Sequence, residues 1–236
     1  MLKFLGIGSA FNTQLGNTSA YIRENNSMLL IDCGGATFSV IQRNNILDGI
    51  EVLDVLITHT HPDHIGSLGD LIFYAYYIMK IKVRIHFPDK PLLQSILDSF
   101  GVDRGIYEYD DEMQFTLLDR GFAHYKIAFN PTKHIETLPA YGFYLTHGDI
   151  TLYYSGDTYE LDPTALKKLL DGEIQLMYHD TSGLDHDNNI HYPFSRLKAA
   201  VPAEHRSKVY CMHFDKHADY EDIRNSGFLA VTRSHE

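Results

Sequence analysis

The sequence predicts an α/β protein in which two β-sheets pack face to face and helices cover their outer sides. Three observations support this. Short apolar runs bounded by turn residues recur along the 236-residue chain. Helical patterns are interspersed among them, and no repeat, low-complexity tract or Pro/Gly/Ser-rich linker interrupts the series, so one domain over residues 1–236 is expected. At this length, with 44% hydrophobic residues, the chain can bury a sizeable core.

Residues 3–7, 19–22 and 28–32 read as strands, the last two joined through Glu24-Asn25-Asn26, a hairpin signal. A helix over 37–44 leads to 52–58, an apolar strand expected to be buried on both faces. Residues 68–80 read as a helix, 83–87 as a strand, and 91–100 as a helix with Pro91 suited to its first turn. Strands are expected at 114–118, 124–129, 141–146 and 151–155, with His147-Gly148-Asp149 turning the last pair into a hairpin. A helix at 161–170, a strand at 174–179, a helix at 194–200 and a strand at 209–213 complete the series.

Twenty basic against thirty-one acidic side chains give a formal charge of −11. Such a field repels a polyanion unless bound metals or a local basic patch reverse it, which disfavours long nucleic acid as a partner. Cys33 and Cys211 lie too far apart in sequence to build a disulfide framework and fit a reducing compartment, with the cytoplasm as the default. The first residues lack a signal-peptide pattern, and no apolar run reaches membrane-spanning length.

Fourteen histidines are the unusual count, and imidazole is the commonest metal ligand. They cluster in Thr58-His59-Thr60-His61-Pro62-Asp63-His64, just after a buried strand. Side chains two apart on an extended chain point the same way, so His59 and His61 can grip one ion together. Pro62 turns the backbone and aims Asp63 and His64 toward a second ion nearby.

In these residues the chain resembles the metallo-β-lactamase superfamily, over nearly its whole length. The resemblance implies a four-layer αββα sandwich. Leu29-Leu30-Ile31-Asp32-Cys33-Gly34 is similar to the first motif of that superfamily, whose aspartate, here Asp32, supports the metal-binding loop from behind. His134 matches the isolated third-motif histidine and completes the first site with His59 and His61. Asp157, in Tyr154-Ser155-Gly156-Asp157-Thr158, matches the aspartate that bridges both ions. His213 closes the second site with Asp63, His64 and Asp157, and Asp63 counts among the catalytic residues as well as the ligands. Imidazole and carboxylate without thiolate favour Zn2+, with Mn2+ or Fe2+ as alternatives. Cys211, two residues before His213, is read as a core cysteine.

Two such ions can share a hydroxide that is nucleophilic at neutral pH, a chemistry that serves lactams, lactones, thioesters and phosphodiesters alike. The surroundings of His134 and the opening Gly6-Ile7-Gly8-Ser9-Ala10-Phe11-Asn12-Thr13 resemble the ribonuclease Z branch and favour phosphodiester chemistry. His179-Asp180-Thr181-Ser182 is similar to the H-E-A-T motif of that branch with aspartate in place of glutamate. His191 sits where the branch places a proton-donating histidine, oriented by Asp180.

Only residues 135–156 separate His134 from Asp157, enough for one hairpin but not for a tRNA-clasping arm. The missing arm and the negative charge argue for a small phosphodiester, a cyclic nucleotide above all, as in arm-less relatives that degrade cyclic-nucleotide signals in phage defence. A tRNA 3′-processing endonuclease, a lactone or thioester hydrolase and a non-enzymatic metal-binding module remain the alternatives. An iron-based oxygen-reducing enzyme is disfavoured, since such relatives carry glutamate at the position of His61. Tyr74, Tyr76 and Tyr77 are read as core residues before base-stacking ones, and Lys80-Ile81-Lys82-Val83-Arg84 as a solvated strand entry. The resemblance also implies a homodimer.

Overall fold

The computed structural model describes residues 2–117, 121–122 and 124–234. In the first sheet, β1 (Lys3–Gly6), β2 (Ser19–Glu24), β3 (Ser27–Ile31), β4 (Val52–Leu56), β5 (Val83–His86) and β6 (Tyr107–Asp110) lie side by side in chain order. Its first three strands are antiparallel and the rest parallel. The second sheet contains β7 (Gln114–Thr116), β8 (Lys126–Pro131), β9 (Tyr141–His147), β10 (Ile150–Tyr154), β11 (Leu176–Asp180), β12 (Val209–Met212) and β13 (Leu229–Ala230). It is antiparallel from β7 to β10 and parallel from β10 to β13.

The alternation of strand side chains builds the layers. In β3, Leu29 and Ile31 share a core with Phe129, Phe143 and Leu145 of the opposite sheet. Met28 and Leu30 point the other way, among residues of the outer helices α1 (Thr37–Arg43) and α3 (Leu68–Tyr74), such as Ile41, Leu71 and Ile72. On the far side, Ala165 and Leu169 of α5 (Pro163–Leu170), Leu197 of α6 (Phe194–Ala200) and Ile223 of α7 (Tyr220–Asn225) close the fourth layer. Complete burial of one such large apolar side chain contributes about 1.5–3 kcal/mol, which explains why strands with two covered faces read as continuous apolar runs.

Local chemistry sets the ends of the elements. Asp89 caps α4 (Lys90–Ser99) by accepting from the Leu92 amide, and Asp162 caps α5 by accepting from Thr164 and Ala165. Between β2 and β3, Asn25 adopts the left-handed conformation a tight hairpin needs. The helix expected over 68–80 differs: α3 stops at Tyr74, a π-helical turn spans Ala75–Met79, and Lys80 is left-handed. There the Ala75 carbonyl accepts from both Lys80 and Ile81, a closure that an apolar repeat does not encode.

The strand expected at 114–118 ends at Thr116, and residue 118 lies outside the described residues. The one expected at 124–129 begins at Lys126, because the Tyr125 amide bonds the Phe122 carbonyl in a turn. Strands β6 and β13, helix α7 and the single turn α2 (Pro62–Ile65) are additions to the expected series. Among the described residues, no helix is long and apolar enough to cross a membrane.

Candidate metal centre

The chain leaves β4 at Leu56 and reaches His59 three residues later, while His134, Asp157 and His213 follow β8, β10 and β12 at the same edge of the sandwich. His61 stands in extended conformation at the start of α2, Pro62 takes the first helical position, and the turn lifts Asp63 and His64 onto a different side. Two groups of donor atoms result: His59, His61 and His134, and Asp63, His64, Asp157 and His213. Asp157 Oδ2 lies between them, 3.7 Å from His59 Nε2, 3.9 Å from His134 Nε2, 3.3 Å from His64 Nε2 and 3.4 Å from His213 Nε2.

The first group fits a cation. His134 Nδ1 donates to the Ile190 carbonyl, and His59 Nδ1 donates to Thr58 Oγ1, whose own proton goes to Asp32. Both Nε2 atoms therefore carry lone pairs, and both face His61 Nδ1, at 3.0 and 3.1 Å. One proton on His61 could satisfy only one of them, whereas an ion at the convergence satisfies all three. Burial, the largest influence, lowers the pKa of each of these imidazoles and keeps it neutral, the form a metal requires.

The second group fits as well. His64 Nδ1 donates to Asp32 Oδ2 at 2.8 Å, which leaves Nε2 buried without a hydrogen-bond partner, facing two carboxylates. Its separations of 3.3–3.5 Å from Asp157 and Asp63 are long for hydrogen bonds. They match the roughly 3.3–3.5 Å between neighbouring ligands of a tetrahedral ion with bonds of about 2.0–2.2 Å.

Without an ion, burial opposes charge on His64 and His213, yet the flanking carboxylates outweigh it and raise both; His213 reaches about 10. Asp157 is held well below the usual carboxylate range: burial works against its charge, and His213 and His64 overcome that.

Asp32 buttresses the centre. Its carboxylate accepts from the Thr58 amide, the Thr58 hydroxyl and His64, each at 2.8 Å. Asp32 and His213 both adopt positive φ, 58° and 60°, a conformation that costs a non-glycine residue about 1–3 kcal/mol and is maintained by surrounding contacts.

His191 lies beside both groups, its ring centroid 5.3 Å from that of His134 and 4.8 Å from that of His213. Its Nδ1 donates to Asp180 Oδ2 at 2.8 Å, and buried Asp180 is held in turn by the Thr158 amide at 3.0 Å. Burial opposes protonation of His191, but the Asp180 carboxylate prevails and raises its pKa above the ordinary value.

The seven expected ligands, Asp32, Asp180 and His191, ten residues in all, thus converge. The contributions of Thr58, Thr158 and the Ile190 carbonyl escaped the sequence reading, because a hydroxyl beside a ligand or a backbone oxygen in a loop carries no pattern. Cys211 is fully buried in the core, where burial pushes its thiol up to about 12. Tyr74 and Tyr76 pack against the outer core, whereas Tyr77 is 55% exposed, a departure from its reading as a core residue that follows from the π-helical turn.

Fold and centre together define a protein of the metallo-β-lactamase fold whose clustered imidazoles and carboxylates suit divalent metal ions. The solved metallo-β-lactamase-fold protein YhfI from Bacillus subtilis superposes with a TM-score of 0.75 at 17% identity, covering 100% of this chain and 97% of YhfI. Human tRNase Z, short form, superposes at 0.69 with 16% identity, over 100% and 97% of the two chains. The family described as Anti-Pycsar protein Apyc1 matches residues 1–236, and the chain belongs to that family. Similar proteins of that description occur in Saccharibacillus brassicae, 29% identical over 224 residues, and Paenibacillus harenae, 26% identical over 222; each match covers 90% of this chain and 89% of the relative.

Proposed function

We propose that this protein is a phosphodiesterase that uses two divalent ions, Zn2+ before Mn2+ or Fe2+, to hydrolyse a small phosphodiester, foremost a cyclic nucleotide. In this reading His59, His61 and His134 would hold one ion and Asp63, His64 and His213 the other, with the Asp157 carboxylate placed between the two groups. Bound ions of this kind supply Lewis acidity at phosphoryl oxygens and lower the pKa of an attacking water. Asp63 would orient that water, and Asp32 keeps the His64 ring turned toward the centre.

His191 carries the step that distinguishes a phosphodiesterase with a poor alkoxide leaving group. With Nδ1 given to Asp180, its Nε2 would donate a proton to the departing oxygen, and the Asp180 carboxylate favours the protonated ring. The single observation that supports the reading most is this His191–Asp180 pair set against the seven converged donors.

Membership of the family described as Anti-Pycsar protein Apyc1, with the resemblance to arm-less relatives that degrade cyclic-nucleotide signals, favours a cyclic nucleotide. A tRNA 3′-processing activity is the second reading, favoured by the likeness to human tRNase Z. Residues 135–156 speak against it, because they are largely taken up by the β9–β10 hairpin and leave no chain for an arm. A cytoplasmic homodimer belongs to the same proposal.

The test is an assay of zinc- and manganese-loaded protein on cyclic nucleotides, bis(p-nitrophenyl) phosphate, precursor tRNA, lactones and thioesters. Hydrolysis of cyclic nucleotides with little cleavage of precursor tRNA is expected. Turnover of a carbonyl substrate alone rejects the proposal.

A further inference from the structure

The chain between β1 and β2, residues 7–18, contains most of the opening motif and coils tightly beside the donor cluster. Ile7 and Gly8 donate to the carbonyls of Leu15 and Gly16 at 3.1 and 2.8 Å, and both the amide and the hydroxyl of Thr18 return to the Gly8 carbonyl. The coil excludes a side chain at Gly8, where a Cβ would lie 2.6 Å from the Asn12 carbonyl oxygen.

One part of this coil grips the turn that carries His213. The buried side-chain amide of Asn12 donates to the carbonyls of Phe214 and Asp215, at 3.1 and 3.2 Å. The Ser9 amide also donates to the Phe214 carbonyl, at 3.0 Å, and the Phe214 amide donates to Ile7 at 2.9 Å. These partners directly follow His213, whose left-handed backbone persists only because neighbouring contacts hold it.

The other end of the coil reaches the turn that carries Asp63 and His64. Asn17 Oδ1 accepts from the Ala36 amide at 2.8 Å, in the link from β3 to α1. That link holds α2, since Cys33 donates to the His64 carbonyl at 2.7 Å and Gly35 to the Pro62 carbonyl at 3.2 Å. Gly34 is squeezed between Asn17 and the Asp63 carbonyl, so a shift of Asn17 passes directly to α2. Among the described residues, no hydrogen bond runs from 7–18 to the stretches 58–61 and 132–136, which carry His59, His61 and His134.

We infer that residues 7–18 position the second donor group alone, with Asn12 and Asn17 as the two anchoring residues. The inference rests on the two-ion reading and adds that the two sites are built separately. Slack in this one piece of chain moves Asp63, His64 and His213 while His59, His61 and His134 stay in place.

Stripped protein is titrated with Zn2+ in a calorimeter, and elemental analysis counts the ions retained. The wild type should take up two equivalents, and His213→Ala, short of one second-group ligand, supplies the reference curve for the first site. Asn12→Leu, similar in size but unable to donate, should weaken one ion about ten- to a hundredfold, the usual effect of losing a residue that orients a ligand. The ion that remains should bind as it does to His213→Ala. Asn17→Ala should give the same result from the opposite end, an independent arm if the first variant folds poorly. Leu169→Ala, in the core beneath α5, is the control for general destabilisation and should lower Tm with both equivalents intact. Equal weakening of both ions, weakening of the first alone, or two wild-type equivalents in both asparagine variants overturns the inference while the two-ion reading stands. A wild type that retains one ion or none removes that reading and this inference with it.

Discussion

Under the proposed reading, single side chains in the centre divide into those that hold charge in place and one, His191, that moves a proton. Asp157→Ala and His61→Ala should lose metal and activity together, read by elemental analysis and turnover. His191→Ala should retain its metal yet lower kcat by about 10²- to 10⁴-fold, the usual contribution of a positioned acid. The loss should shrink with a p-nitrophenolate leaving group, which departs without a proton; normal turnover would refute the role. A pH response follows from His213. Its pKa in the ion-free fold, about 10 against an ordinary 6.5, means that the stability it contributes is whole below pH 6.5 and disappears as pH climbs through 10. Metal must displace that proton, so affinity for the ion should rise across the same window. Thermal melts of stripped and zinc-loaded protein from pH 6.5 to 10 should therefore diverge, and parallel curves would contradict this account. The donor residues were legible because His59, His61, Asp63 and His64 crowd six positions and because ligand chemistry admits few residue types. Asp32 was less distinct, since an aspartate ahead of two glycines also reads as a simple turn.

Gly34 illustrates how elements are fitted around the centre. A Cβ there would lie 1.9 Å from the Asp63 carbonyl oxygen and 2.7 Å from Asn17 Cβ, so only glycine lets α2 sit against the end of β3. Gly34→Ala should displace the turn that carries Asp63 and His64, costing about 1–3 kcal/mol from overpacking and lowering metal content. Gly35→Ala is the control, because its Cβ would come no closer than 3.8 Å to anything. Melting curves with metal analysis distinguish the two; equal behaviour would mean that α2 is not held this way. Elements with long apolar runs, such as β3 and β4, were readable from the sequence. Strand β6, Tyr-Glu-Tyr-Asp, was not, because it is a short edge strand with two carboxylates, and helix α7 has only Ile223 fully buried.

At the scale of the molecule, two sheets deliver donors from four separated stretches to one edge, so bound ions would also join the halves of the sandwich. Stripping them with a chelator should lower Tm, by the equivalent of about 4 kcal/mol where free metal stood a thousandfold above Kd. A melting point indifferent to chelation would rule out that linkage. The donor cluster was visible in the sequence because each ligand stands near a strand end, whereas an adjoining cavity was invisible, its wall being assembled from loops with no common motif. The segment between β11 and α6 serves three parts of that edge: Ile190 braces His134, His191 meets Asp180, and Asn188 forms cavity wall. Substitutions in this segment cannot be inherited independently of one another, since a shift that suits a new ligand also disturbs a metal-facing imidazole.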